Sequence, residues 1–149
     1  MDSTHLHASL IGYSIDDLHV GMSALFAKTI TESDIVLYAG LTGDLNPVHV
    51  NQEYAKQTRF KGRIAHGMLT ASLFSTVLGT KMPGPGCIYL SQELKFLAPV
   101  YAGDTVTAKV MITEIISARK RVICRTTATV GDTIVCDGVA KMMVQATPE

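Results

Sequence analysis

No sign of charge is in excess in this sequence. Lys and Arg number 13, Asp and Glu number 13, and no basic run interrupts the chain. A nucleic-acid groove needs clustered cations, so this balance argues against nucleic acid as the main partner. Cysteine is equally sparse. Cys87, Cys124 and Cys136 are odd in number and widely spaced, with no C-x-x-C. That argues against a zinc site or a disulfide framework and leaves three reduced core thiols. No apolar stretch reaches membrane-spanning length, and MDSTHLHASLIGYSIDDL has no basic start followed by an apolar run, so neither a membrane span nor a secretory signal is expected. A cytoplasmic protein is the expectation. There is no G-x-G-x-x-G, no Walker loop and no G-x-S-x-G elbow, so neither a nicotinamide nor an ATP mechanism gains support.

What is present is a chain of 149 residues, 47% of them hydrophobic and 17% charged. It has no internal repeat or linker, which fits one domain with a substantial core. Zero net charge with a positive mean hydropathy also hints at apolar surface buried between subunits. Residues 1–9 read as a polar, mobile tail, and its His5 and His7 are read as incidental rather than as a metal pair. GMSALFAK (21–28) reads as a strand. Thr31 or Ser33 caps a helix with Asp34 in its first turn, an apolar face of Ile35, Val36, Tyr38, Ala39 and Leu41, and a stop at Gly43. NQEYAKQT, capped by Asn51, is a short helix, and FKGR is a turn. IAHGMLTASLFSTVLGT (64–80) carries no Asp, Glu, Lys or Arg and is apolar or small almost all the way round. A helix of that kind is expected to be buried on nearly every side. Pro83, Gly84, Pro85 and Gly86 stop it.

The remainder alternates with period two. Ile88, Leu90, Gln92, Leu94 and Phe96 stand against Tyr89, Ser91, Glu93 and Lys95. Val106, Ala108, Val110 and Ile112 stand against threonines, Lys109 and Met111. Turns at 118–120 and 131–132 separate the last strands, which suggests an antiparallel meander. One apolar helix beside such strands implies an α+β domain whose sheet wraps the helix.

The densest chemistry lies in TGDLNPVHVN (42–51). Proline limits a helix there, and Gly, Asp and Asn favour turns. Asp44 and His49 can work as an acid/base pair on one water, because a carboxylate and an imidazole can trade a proton near neutral pH. The alternative is that Asp44 only caps the Asn46-Pro47 turn and His49 is a surface residue; spacing leaves both open. Metal binding by the pair lacks a third ligand nearby in sequence. Gly67, in the AHG that opens the apolar helix, can offer an N–H to developing negative charge or allow close packing on a strand. His66 is read first as structural. Ser72, Ser75 and Thr76 either bond back to the preceding turn or, for Ser75, line a pocket and orient a water or Asp44. Gln92, Glu93 and Lys95 read as ordinary strand positions.

Taken together, YAGLTGDLNPVHVNQEYA, RIAHGMLTASLFSTVLG and FLAPVYAGDTVTAKV resemble the MaoC-like hydratases, and within that group the (R)-specific enoyl-CoA hydratases. Tyr38, Gly43, Asp44, Asn46, Pro47, His49 and Ala55 fall where the family's motif places them. The resemblance covers about residues 20–145, so residues 1–18 are expected to form a partly mobile N-terminal extension and 19–149 the domain. It implies a hot-dog fold, a homodimer with sheets joined edge to edge, and an acyl-CoA bound near the subunit boundary. It also implies reversible syn hydration of trans-2-enoyl-CoA to (R)-3-hydroxyacyl-CoA, without a metal or other cofactor. Carried over, Asp44 and His49 hold the water, Gly67 binds the thioester carbonyl, and Asn46, Ser75 and His66 support the site. Leu45, Met68, Leu69, Phe74 and Leu78 are expected to line an acyl pocket for short to medium chains. Thioester hydrolysis, a non-catalytic acyl-binding module, and hydration of carrier-protein-bound or branched substrates are the competing readings. The setting can be polyester precursor supply, fatty-acid breakdown or another pathway.

Overall fold

The computed structural model describes residues 10–144; His5 and His7 lie outside the described residues. Val106, Ala108, Val110 and Ile112 are wholly buried, and the strand that carries them, β3 (Thr105–Ile116), has the inward alternation that its sequence predicts. It pairs antiparallel with β1 (Ser23–Thr29) on one side and β4 (Arg121–Val130) on the other. β4 pairs with β5 (Thr133–Met143), and β5 with β2 (Ile88–Phe96). The sheet order is therefore β1-β3-β4-β5-β2, antiparallel throughout.

The meander expected of the last strands holds for β3-β4-β5 but not for β2, which pairs with β5 at the far edge. The segment from Leu97 to Asp104 makes this crossover and is tied down on the way. Leu97 N–H donates to Val135 O at 2.9 Å, Ala65 N–H to Val100 O at 2.7 Å, and Gly103 N–H to Ile30 O at 2.7 Å. The alternation read along β2 also breaks, because its register with β5 shifts between Tyr89 and Ser91.

α1 (Glu32–Thr42) starts where Thr31 and Asp34 cap each other. Asp34 N–H donates to Thr31 Oγ1 at 3.1 Å, and Thr31 N–H to Asp34 Oδ2 at 2.9 Å. It ends at Gly43, whose φ of +78° suits a residue without Cβ. Of its expected apolar face only Ile35 and Ala39, one turn apart, are buried. Leu41 is 81% exposed and Val36 59%. Only a narrow stripe of this short helix meets the core. Proline does not prevent a helix in the bend that follows. Pro47 occupies the first position of a single turn, α2 (Pro47–Val50), where its missing N–H costs nothing. α3 (Gln52–Gln57) has the expected Asn51 cap.

α4 (Gly67–Thr80) lies against β1, β3, β4 and β5. Leu73, Phe74, Val77 and Leu78 enter the core. The expectation of burial on nearly every side fails in the single chain: Met68, Ser72, Ser75 and Gly79, spaced at helical intervals, form an exposed stripe. The described residues before the expected boundary at 18 are packed onto the domain. Ile15 and Leu18 belong to the same core as α4. Gly12 and Tyr13 donate their N–H groups to Pro85 O and Pro83 O at 3.1 and 2.8 Å, which fixes this arm on the loop after α4. No described helix is long and apolar enough to cross a membrane.

Candidate active site

The bend after α1 is built from side chains that stand in for backbone partners. Asp44 Oδ1 accepts the Asn46 N–H at 3.2 Å, and Asn46 Oδ1 accepts the Val48 N–H at 3.2 Å. Two short polar residues thus turn the chain twice, which is why Asx residues are needed here. Asp44 does cap the Asn-Pro turn, but His49 is no surface residue: it is 8% exposed. Its Nδ1 lies 2.8 Å from the carbonyl of Ile64. A carbonyl only accepts, so Nδ1 carries the proton and Nε2 of the neutral ring keeps its lone pair.

Ile64 also donates its N–H to Val48 O at 3.2 Å. The strip leading into α4 is therefore fastened to the turn that bears His49. His66, the N-cap of α4, lies 2% exposed. Its Nε2 donates to the main-chain carbonyl of Asp44 at 3.0 Å. A carboxylate oxygen of Asp44 and one ring nitrogen each of His49 and His66 lie within 4.8 Å of one another. Two hydrogen bonds of about 2.8 Å meeting at a tetrahedral water span roughly 4.6 Å, so the pair can share one water.

The cluster opens into a cavity of about 320 Å³. Ala65, Thr70, Val100 and Val135 form its buried wall, and Arg59, Met68, Phe96 and Leu97 its exposed rim. Val135 reaches the cavity through a β-bulge. The register of β5 on β4 steps from Cys136 to Ile134, so Val135 has no partner on β4, and its carbonyl takes the N–H groups of Leu97 and Ala98. Gly67 lines the cavity at the start of α4. The N–H groups of Leu69 and Thr70 are taken by His66 O at 3.1 and 3.3 Å. The Gly67 N–H has no acceptor among the described residues, as expected at a helix start. The close-packing reading of Gly67 holds, because a Cβ there would come within 2.8 Å of the Phe96 ring.

His66 supplies the third donor that the sequence did not place beside Asp44 and His49. Its Nε2–H points at a protein carbonyl, however, so it adds no specific support for a metal. Of the expected acyl-pocket residues only Met68 lines this cavity. Phe74 and Leu78 are wholly buried in the core, Leu69 packs against that core, and Leu45 is 63% exposed on the bend. The three on α4 lie elsewhere because α4 presents its N-terminal turn, not its length, to the cavity. Ser75 is on the exposed stripe and does not reach the cavity. Arg59, Phe60, Thr70 and the 96–100 segment were not singled out from sequence. The signal for the last of these is FLAPV, an apolar run whose proline ends the alternation before a turn.

The model of the MaoC-like domain matches residues 19–133. The chain belongs to the MaoC-like domain family. It is 56% identical to an (R)-specific enoyl-CoA hydratase of Rhodospirillum rubrum, over 92% of this chain and 95% of that one. It is 48% identical to a 3-hydroxybutyryl-CoA dehydratase of Methylorubrum extorquens, over 87% and 82% respectively. The unliganded R-hydratase PhaJ1 of Pseudomonas aeruginosa superposes with a TM-score of 0.86 at 39% identity, covering 91% of this chain and 88% of that one. In this MaoC-like chain the hot-dog arrangement is explicit: one long helix lies against a curved antiparallel sheet, and the cavity sits at the helix N-terminus.

Proposed function

We propose that the chain is an (R)-specific enoyl-CoA hydratase, adding water reversibly and syn to trans-2-enoyl-CoA to give (R)-3-hydroxyacyl-CoA. The observation that carries this is the convergence of an Asp44 carboxylate oxygen and a His49 ring nitrogen within 4.8 Å, in a cavity shared with the free N–H of Gly67. Hydration needs these parts and is redox-neutral. Water's oxygen bonds to C3, and the alkene electrons move through C2 toward the thioester oxygen. The Gly67 N–H stabilises the charge gathering there. Asp44 and His49 together take one proton from the water and return one to C2, so both new bonds form on the face of the alkene nearest the pair. That accounts for syn addition. No step requires a metal or a redox cofactor.

The apolar wall and rim suit a short to medium acyl chain, and each methylene in such a pocket changes selectivity by about 1–3 kcal/mol. A homodimer joined along β2 is supported by that strand's position at the sheet edge and by the exposure of Ile88, Leu90 and Phe96, 44%, 40% and 53% respectively. The exposed stripe of α4 supports a second copy as well.

The test is loss of enoyl-thioester absorbance with crotonyl-CoA, with the product's configuration assigned and free thiol followed in parallel. An (R)-3-hydroxy product without thiol release is expected. Thiol release would replace hydration with thioester cleavage. Asp44→Asn and His49→Gln should each lower turnover by about 10²–10⁴-fold in a folded protein; near wild-type rates in both would remove the pair from the mechanism. A monomer in light scattering would sink the dimer.

A further inference from the structure

His66 contacts both residues proposed to handle the proton, Asp44 through its main chain and His49 through its ring, yet has no part in the hydration chemistry. Its Nε2–H holds the Asp44 carbonyl at 3.0 Å. Its ring lies on that of His49, with centroids 3.9 Å apart and planes tilted by 31°. The ring of Tyr38, from α1, lies 4.8 Å from it. Three segments, α1, the neighbouring α2 and the start of α4, therefore meet in one group of rings, with His66 common to both contacts.

The protonation state of His66 follows from its partners. Nε2 faces an acceptor and must carry hydrogen. Nδ1 is buried and has no hydrogen-bond partner among the described residues. A proton on Nδ1 would create an unpartnered buried donor and a buried cation against the His49 ring, both unfavourable. The neutral Nε2–H tautomer leaves only an unpaired acceptor. His49 is the mirror case: its Nδ1 carries hydrogen toward Ile64 O, and its Nε2 is left free. The stacked rings thus hold opposite tautomers.

From this, and resting on the hydratase reading above, we infer that His66 is a positioning residue. It holds the Asp44 main chain with Nε2–H and the His49 imidazole with its ring face, so that both groups address the same water. Phenylalanine would keep the ring and lose the donor. Glutamine would keep a donor near the Nε2 position and lose the ring. Histidine supplies both, which accounts for a buried residue with one unsatisfied nitrogen.

Two measurements test this. The first is steady-state kinetics of His66→Phe and His66→Gln on crotonyl-CoA, with circular dichroism and melting temperature recorded for each. A misplacement of about 1 Å costs on the order of 10²-fold, so His66→Phe should lose about that factor in kcat. KM should stay within about 3-fold, because binding common to ground and transition states is untouched. His66→Gln should recover part of the loss. A wild-type kcat in His66→Phe, a loss confined to KM, or no recovery in His66→Gln each overturns the inference.

The second is nitrogen-15 NMR of the histidine rings in the wild-type protein, which needs no variant to fold. The expected spectrum shows neutral His66 protonated at Nε2 and neutral His49 protonated at Nδ1. His66 found as an imidazolium, or as the Nδ1–H tautomer, overturns the inference whatever the kinetics. Should the wild type fail to hydrate enoyl-CoA, the function above falls, and the tautomers still decide the arrangement of the rings.

Discussion

Adding one methyl group at Gly67 separates stability from catalysis. A Cβ at Gly67 would lie 2.8 Å from both Cδ1 and Cε1 of Phe96. Carbon atoms prefer about 3.5–4.0 Å, so the ring must retreat by roughly 0.7–1.2 Å or α4 must start elsewhere. Phe96 is 53% exposed on an edge strand, so it can swing. The overpacking cost therefore falls at the low end of the usual range, about 1 kcal/mol. Against this, alanine favours a helix over glycine by about 0.5–1 kcal/mol. The two offset, and the melting temperature of Gly67→Ala should stay within a few degrees of wild type, since 1 kcal/mol moves a domain of this size by about 2–4 °C. The rate should not survive, because the methyl group occupies the space beside the N–H proposed to receive the thioester oxygen. A loss of about 10²-fold in kcat/KM is expected for a displacement near 1 Å. Crotonyl-CoA hydration and thermal melting of Gly67→Ala, Phe96→Leu and the double variant decide it. Phe96→Leu should give back part of the rate in the Gly67→Ala background, because the two substitutions share one contact and should not be additive. Wild-type kcat/KM in Gly67→Ala would refute the close approach as a feature of the site. A drop in melting temperature beyond 10 °C, on the order of 3 kcal/mol, would refute the offset of packing and propensity.

Three further outcomes follow from the packing. In Gly138→Ala the new methyl would overlap the Glu93 carbonyl across the β5–β2 pair and crowd Gln92, whose Nε2 reaches the buried Thr126 hydroxyl at 2.9 Å; urea denaturation should show a loss of about 3 kcal/mol, the upper end for overpacking. In Gly12→Ala the methyl would meet Pro83 O and Pro85 O at 2.5 and 2.6 Å; the arm should lift off the loop after α4, lowering stability by about 1–3 kcal/mol while specific activity of the folded protein is kept. Alkaline pH should destabilise the protein: burial, and then neighbouring Cys87, push the Cys124 thiol up to about 12, and burial, and then Asp137, push Cys136 up to about 11. The folded state thus keeps protons that the unfolded thiols lose near pH 8.5, so stability falls as pH rises from about 8.5 through 11–12, by up to about 1.4 kcal/mol per unit per thiol. Urea midpoints at pH 8 and 10 measure this, and a Cys124→Ala, Cys136→Ala variant should flatten the slope.

The bend that carries Asp44 and His49 was legible because its chemistry is local. Gly43, Asp44, Asn46 and Pro47 each satisfy a need that arises within three residues, so their spacing in the chain is their spacing in space. The cavity was not legible because its wall is assembled across the fold. Val135 enters through a one-residue bulge in β5 that alternation cannot reveal. Phe96 to Val100 arrive because β2 pairs with β5 instead of β3, a choice that period-two patterning leaves undetermined. Phe74 and Leu78 looked equally suited to a pocket or a core, and the direction of α4 decided for the core.

The largest mismatch between sequence and chain is also informative. Residues 64–80 were read as a helix to be buried on nearly every side, and the single chain leaves Met68, Ser72, Ser75 and Gly79 exposed. The pattern and the fold need not conflict, because a sequence records burial in the assembled state. Small residues at 72, 75 and 79 suit close approach of another surface better than they suit water, where longer polar side chains are better helix formers. β2 tells the same story, with Ile88, Leu90 and Phe96 exposed on an open edge. If a second copy covers both, Met68 and Phe96 are the residues that join that interface to the cavity rim, since both line it. Assembly and substrate binding would then be coupled. Dilution below the dimer dissociation constant should lower specific activity, and saturating acyl-CoA should oppose that loss. Specific activity independent of concentration across a dissociation observed by light scattering would show that one chain completes the site alone.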